Sequence, residues 1–440
     1  MLLQDKEEYI NGKRINRANN IRVIWYEIGN ENEIDIFTRL NIGKIPLTNA
    51  ELIKALLIQG YGKSDNKQIA EIKQFELASE WDQIEYALQN DDFWYFINKD
   101  ENKTATRIEF IFELIVKKDK YRESCSRLER LDKKIDKYYE FYIVDEYLKN
   151  GERQKDKTKY EIIWNDVKNT FRILNEWYED SEFFHKVGFL IIYGKKYNLN
   201  KNLTILDLIE LYNKSNTKKE FIENMNKNIK KVFTVSNENN EFLDIEALNY
   251  GSDDDFIRKV LLWFNIATIL QDDKSNIRFQ FDRFKKENWD IEHIRSQTDK
   301  IPYKNEEKIL WFEGLKNLNT NIEKTMDQII DMEQTEFKKY FENKQNEIEK
   351  IEENFDVNGI GNLTLLDSET NRSYKNAFFP VKRSRIIKND QNGVFIPLCT
   401  KNVFLKYYSH KIDNPLIWAR KDAENYKEAI IEVFNYLEKL

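Results

Sequence analysis

The sequence predicts a mainly α-helical protein with small α+β parts, and two observations lead to this prediction. Only 13 Gly and 5 Pro occur in 440 residues, too few turn residues for a β-sandwich, a propeller or a long disordered chain. Apolar residues recur at three- and four-residue spacing through much of residues 66–178, which is the period of amphipathic helices. Hydrophobic residues make up 41% of the chain, so a sizeable core is expected.

The first two elements differ in type. The segment IRVIWYEI, residues 21–28, is β-branched and aromatic, which predicts a strand. Residues Thr48 to Glu51 spell T-x-x-E before an apolar run, which is the pattern of a capping box. We therefore expect a helix that begins near Thr48 and ends at about Gln59.

The second half of the chain contains a buried helix, a charged block and two shorter elements. Three aspartates at 253–255 precede a run that is apolar nearly all round, which indicates a buried helix over 253–271. Residues 306–354 are rich in Glu, Lys and Asn and predict a solvated helical insert. NGIGNLTLLD, residues 358–367, reads as a glycine-flanked strand, and the last twenty residues predict a helix.

Composition and charge exclude several classes of protein. Two Cys and three His do not support a disulfide scaffold, a zinc ribbon or a histidine-rich metal centre. The net charge of −7 excludes a uniformly basic DNA-coating protein but allows a local basic groove. No apolar run approaches the length of a membrane span, and the N-terminus is too polar for a secretory signal. A cytoplasmic protein without membrane contact is the expectation.

The hexapeptide WDIEHI, Trp289 to Ile294, concentrates two carboxylates and one of the histidines. Because alternate side chains of a strand share a face, Asp290 and Glu292 are expected on one face and His293 on the other. On its own this arrangement is more often a surface His–Glu pair than a catalytic site.

A second segment, GIGNLTLLDSETNRSYKN at 359–376, adds Gly361-Asn362 before a strand and Asn371 in the helix expected after it. The order of strand with His, Gly-Asn with strand, and helix with Asn resembles the ββα-metal, or His-Asn-His (HNH), nuclease module. Within that group it resembles the C-terminal nuclease of GmrSD-type modification-dependent restriction endonucleases. Further matching strings are FDRFKKENWDIEHI, N-x-x-x-x-N-x-x-F-x-x-K from Asn371, FIPLCTKNVF, and W-x-x-x-D-A-x-x-Y from Trp418. The resemblance covers about 277–300 and 355–440.

The resemblance implies a role for each of these residues. His293 is expected to be the general base, since a histidine with a pKa of about 6.5 suits that task near neutral pH. One Mg²⁺ (or Mn²⁺) is expected to neutralise charge on the scissile phosphate, with Glu292 and Asn371 as oxygen ligands. Asn362 is expected to orient the strand that carries the base. Asp290 is either a further carboxylate of the metal site or a solvated acid at the strand end.

Three departures from the simplest family pattern are visible. The last motif position is Asn371 rather than His, and Glu292 stands where many relatives have Asp. The gap between His293 and Asn362 holds the whole 306–354 block. That insert is open to three roles, namely covering the site, contacting DNA or decorating the surface.

Basic residues follow the last motif position. Clustered lysine and arginine side chains commonly bind DNA phosphates. The alternative is that these residues form an ordinary solvated helix surface. The candidate DNA contacts are Arg372, Lys375, Lys382, Arg383 and Arg385.

The N-terminal string FTRLNIGKIPLTNAELIK, residues 37–54, resembles a block in the ParB/sulfiredoxin-like N-terminal domain of the same family. Arg39 and Asn41 are its polar candidates, and local pairing or capping is the alternative for Arg39. The family's earlier D-G-Q-Q-R-type motif and a Walker motif are both missing from the sequence. We therefore expect a truncated or mis-assigned start, or a partner chain that carries the missing motif, and no complete nucleotide-hydrolysing site in this chain.

These observations predict that the chain is divided into three regions. Residues 1–120 are expected to be a remnant of the ParB-like domain with following helices, 121–250 a helical connector, and 251–440 an HNH-type nuclease domain with the insert at about 306–354. The predicted function is metal-dependent DNA endonuclease activity in a phage-defence restriction system, with DNA, including modified phage DNA, as the partner. Two alternatives stay open, a non-catalytic DNA-binding or regulatory subunit that needs a partner chain, and an RNA-directed nuclease.

Overall fold

Helices form most of the described backbone, which confirms the prediction of a mainly α-helical protein. A computed structural model describes residues 9–10, 13–14, 47–62, 66–98, 106–126, 128–133, 136–152, 158–194, 202–235, 241–271, 276–296, 300–316, 322–351, 355–370, 377–409 and 415–439. The predicted strand at 21–28 lies outside these ranges. No helix within them is both long enough and apolar enough to cross a membrane.

The first half of the described chain is helical apart from a short antiparallel strand pair, β1 (Tyr9–Ile10) and β2 (Lys13–Arg14). Its helices are α1 (Asn49–Gly62), α2 (Lys67–Leu88), α3 (Asp91–Ile97), α4 (Glu109–Ile115), α5 (Asp119–Glu123), α6 (Tyr139–Glu152), α7 (Thr158–Glu179), α8 (Ser181–Tyr193), α9 (Ile205–Lys214) and α10 (Lys218–Val232).

The second half inserts a second antiparallel pair, β3 (Trp289–His293) and β4 (Leu363–Asp367), among its helices. These helices are α11 (Asp254–Leu270), α12 (Phe281–Lys286), α13 (Asn305–Lys316), α14 (Met326–Ile330), α15 (Gln334–Ile351), α16 (Phe379–Gln391), α17 (Leu398–Phe404) and α18 (Arg420–Lys439).

The capping box predicted at Thr48 is present. The Thr48 amide donates to the Glu51 carboxylate at 2.8 Å, and the Glu51 amide donates to the Thr48 hydroxyl at 3.2 Å. These bonds satisfy two amides that the first turn leaves without helical partners. Helix α1 therefore begins where predicted, and it ends at Gly62 rather than near Gln59.

Two hydrophobic clusters organise the described residues. The larger extends from Ala50 to Leu437 and includes both β3 and β4 and the buried helix α11, as its apolar sequence predicted. The smaller is built by α13, α14 and α15 around Trp311 and Phe337, and it includes Phe378 and Val381 next to and within α16. The charged block therefore has an apolar core of its own and is anchored on α16.

One histidine is a structural part of the larger core. His185 of α8 has no solvent exposure. Its Nδ1 lies 2.7 Å from the Ser181 carbonyl, and its Nε2 lies 3.0 Å from the Phe279 amide, which donates to it. Both ring nitrogens are thereby used by the neutral form. Burial lowers the pKa of His185 to about 4.

Acid is therefore expected to destabilise the protein through His185. The unfolded histidine titrates near pH 6.5 and the folded one near 4, so the unfolded state binds more protons between these values. The free energy of unfolding should rise with pH across this window, and the contribution lost at pH 4 is about 3 kcal/mol. Urea midpoints of the native chain and of His185→Gln from pH 7 to 4.5 test this. Equal pH slopes in the two proteins would contradict it.

Candidate active site

The β3–β4 pair brings the two sequence motifs together. His293 pairs with Leu363 and Trp289 with Asp367 in the antiparallel register. The ladder extends by one bond, from the Ile294 amide to the Asn362 carbonyl at 2.8 Å. Residues 368–370, directly after β4, are helical. His293 therefore lies at the end of its strand, beside Asn362.

Asn362 fastens the chain that leaves β3. Its side chain has no solvent exposure, and its Oδ1 accepts from the Arg295 amide at 2.8 Å. Its Nδ2 donates to the Arg295 carbonyl at 2.9 Å and to the Val357 carbonyl at 2.8 Å. This is the arrangement that an orienting role for Asn362 requires, and the role itself stays a prediction.

The residue before Asn362 must be small. A Cβ on Gly361 would lie 2.4 Å from the backbone carbonyl oxygen of Ala423 in α18. Because that atom belongs to a helix backbone, it cannot move aside cheaply. Glycine therefore lets α18 pack directly against the turn that carries Asn362.

The His293 ring is held by two residues that sequence reasoning missed. Its Nε2 lies 3.2 Å from the Asn358 side-chain oxygen, and its ring packs edge-on against Tyr250 with centroids 4.6 Å apart. If Nε2 donates to Asn358, the basic nitrogen is Nδ1. Burial lowers the pKa of His293, and the Asn358 hydrogen bond offsets part of that effect.

Asn358 and Tyr250 belong to one local arrangement. The Tyr250 amide donates to the Asn358 carbonyl at 2.9 Å, and Asn249 forms an isolated bridge with Gly359. The only sequence signal for Asn358 was its place in the glycine-flanked segment before Asn362. Tyr250 gave no signal, because it reaches His293 through a contact between distant parts of the chain.

The two carboxylates of β3 each meet a cation from a different helix. Glu292 is buried and lies 2.6 Å from the Lys382 ammonium of α16, whose side chain is 1% exposed. Asp290 is partly exposed, with its carboxylate 3.9 Å from the Arg258 guanidinium of α11. In this arrangement the Lys382 ammonium is not presented to a phosphate at the surface, in contrast to the surface contact expected from the sequence.

Within the ranges given above, no group of three or more His, Cys, Asp or Glu side chains lies close enough together to bind an ion. Glu292 is already paired with a buried cation. The other proposed ligand, Asn371, lies outside the described residues, as do Arg372, Lys375, Arg39 and Asn41.

Two further arginines of the basic run are described. Arg385 is partly exposed, and its guanidinium lies 3.4 Å from the Glu307 carboxylate of α13. Arg383 is also partly exposed, although its Nε is buried. Both lie on α16, directly after Lys382. Their contact with DNA stays a prediction.

The protein is mainly helical, and a short antiparallel strand pair carries His293 at its end. The buried Asn362 holds the backbone that follows this histidine. Residues 233–433 match the family model of the C-terminal domain of the GmrSD restriction endonucleases. This segment contains β3, β4 and every described candidate of the site. Comparisons with curated proteins and with solved structures gave no match.

Proposed function

We propose that this chain is a DNA endonuclease of an antiviral restriction system and that His293 is its general base. The observation that carries the proposal is the position of His293. It stands at the end of β3 within the matched segment and is held through Asn358, Tyr250 and the Asn362 bonds. An imidazole fixed from several sides is pre-organised for proton transfer.

The proposed reaction is hydrolysis of a phosphodiester. His293 takes a proton from a water molecule at Nδ1, and the water oxygen forms a bond to phosphorus. The bond from phosphorus to the leaving oxygen breaks, that oxygen takes up a proton from solvent, and the His293 imidazolium then returns its proton to solvent. One water is consumed for each bond cut. Arg383 and Arg385, with Arg372 and Lys375, are proposed to bind the backbone phosphates.

A divalent cation, Mg²⁺ or Mn²⁺, remains part of the proposal through the resemblance to ββα-metal nucleases. When bound, such an ion would neutralise charge on the phosphate. Asn371, which the resemblance implies as an oxygen ligand, lies outside the described residues. Glu292 and Asp290 would have to exchange their present partners to serve as ligands.

A cleavage assay on defined nucleic acids tests the proposal. Unmodified plasmid, glucosylated phage DNA and a structured RNA are incubated at low salt with Mg²⁺, Mn²⁺ or EDTA. We expect cation-dependent cutting of DNA, no cutting in EDTA, and no requirement for a nucleoside triphosphate. Low salt matters because phosphate contacts weaken steeply as salt rises.

Other outcomes point to the alternatives. Folded protein that binds DNA and cuts neither DNA would contradict the proposal and favour a subunit that needs a partner chain. Preferential cutting of the RNA would instead favour an RNA-directed nuclease.

A further inference from the structure

The Lys382 ammonium lies between two oxygens of β3. It is 2.6 Å from the Glu292 carboxylate and donates to the His293 carbonyl, also at 2.6 Å. The Lys382 side chain is 1% exposed and that of Glu292 is 10% exposed. A lysine buried to this extent is stable only when a counter-charge and hydrogen bonds compensate for its lost hydration.

A second bond ties the same helix to the same strand. The Ser296 hydroxyl, three residues after His293, donates to the Ala377 carbonyl at 2.7 Å, just before α16 begins. The N-terminal part of α16 is therefore hydrogen-bonded to the end of β3 at two points, at His293 and at Ser296 three residues later. The same helix carries Arg383 and Arg385 on its next turn.

We propose that Lys382 is a positioning residue for His293 and that Glu292 is its buried counter-charge rather than a ligand of the cation. This inference rests on the proposed function, since it assigns how the base is held. Its consequence is that the base and the candidate phosphate contacts of α16 keep a fixed spacing. A displacement of about 1 Å at such a base costs on the order of 100-fold in rate.

The ion pair is tested first by thermal unfolding of Lys382→Met, Glu292→Gln and the double variant. Lys382→Met leaves the buried Glu292 carboxylate without a counter-charge, and Glu292→Gln leaves the buried Lys382 ammonium without one. Each single variant should therefore lower Tm by roughly 5–10 °C. The double variant should lose much less than the sum of the two. Additive losses would overturn the pairing, whether or not the native chain cleaves DNA.

The positioning role is tested by the histidine ring itself. The chain has three histidines, so a sample labelled only at histidine gives few NMR signals. The signal that disappears in His293→Gln is the signal of His293. At a fixed pH, Lys382→Met should move the His293 signal. A matched control is Lys186→Met, which breaks the ion pair of another buried lysine, Lys186 with Glu182 at 2.6 Å on α8, and should leave the His293 signal in place. An unmoved signal in Lys382→Met would overturn the positioning role without reference to activity.

Cleavage kinetics then separate positioning from the two competing roles. With the folded fraction matched, Lys382→Met should lower kcat about 10- to 100-fold and leave KM for DNA and its salt dependence unchanged. A raised KM with a shallower salt dependence would instead make Lys382 a phosphate contact. Glu292→Gln should leave the Mg²⁺ concentration for half-maximal rate within twofold of native. A tenfold increase would make Glu292 a cation ligand and overturn the inference.

A native chain that does not cleave any DNA would refute the proposed function, and the kinetic assignment would fall with it. The unfolding and NMR results would still decide whether Lys382 holds the His293 strand. The two failures are therefore distinguishable.

Discussion

Replacing His293 with alanine is expected to lower the rate of DNA cleavage at least about 100-fold, because a positioned general base contributes about 10²–10⁴-fold. The ring is partly exposed, and its contacts include one hydrogen bond to Asn358 and the packing on Tyr250. The substitution should therefore cost little stability, about 1 kcal/mol. Single-turnover cleavage at saturating enzyme, with Tm measured on the same samples, separates the two effects.

His185 provides the matched control for this experiment. It is a buried histidine on α8, hydrogen-bonded to Ser181 and Phe279, and it has no place in the proposed reaction. At pH 7.5 His185→Gln should cleave at the native rate per folded molecule. If His293→Ala retains activity within a few-fold of native, His293 is not the base. An equal loss in both variants would instead indicate general destabilisation.

The elements that sequence predicted well are those defined by local chemistry. The T-x-x-E pattern at Thr48 located the start of α1, because a capping box is formed by residues three apart. The apolar run after the three aspartates at 253–255 located α11, since a helix that is apolar all round must be buried. The glycine-flanked run at 358–367 likewise located β4. Each of these depends on neighbours within one or two turns of chain.

The candidate site shows where local patterns are insufficient. Lys382 was read as a surface cation because charged residues are usually exposed, yet its partner Glu292 is 90 residues away and both are buried. Neither residue type nor spacing reveals such a pair, which exists only after α16 packs on β3. The contact of Tyr250 with His293 has the same origin.

The charged block at 306–354 is an intermediate case. Its composition correctly predicted helices, but the single block is three helices, α13, α14 and α15. Its small core depends on Phe378 and Val381, which lie outside the block in sequence. The period of apolar residues thus gives the helices, whereas the surface they pack on is a property of the folded chain.

Replacing Asn362 with alanine is expected to produce the largest loss of stability among the variants considered. The side chain is fully buried and makes three hydrogen bonds, two to the Arg295 backbone and one to the Val357 carbonyl. Each buried polar group that loses its partner costs about 1–3 kcal/mol, so the free energy of unfolding should fall by about 3–5 kcal/mol. Urea unfolding at pH 7.5 measures this directly.

The same substitution should also lower cleavage per folded molecule, because Asn362 holds the chain two residues after His293. Asn265 is the matched control, being almost fully buried and bonded at both ends of its amide, to the Leu261 carbonyl and the Cys399 amide. Asn265→Ala should lose about 2–3 kcal/mol and keep the native rate per folded molecule. A fall in stability without a fall in rate for Asn362→Ala would show that Asn362 supports the fold and does not orient the base. A fall in rate confined to Asn362→Ala would tie the geometry of the β3 end to the reaction, since both variants lose buried hydrogen bonds but only Asn362 bonds to the backbone two residues after His293.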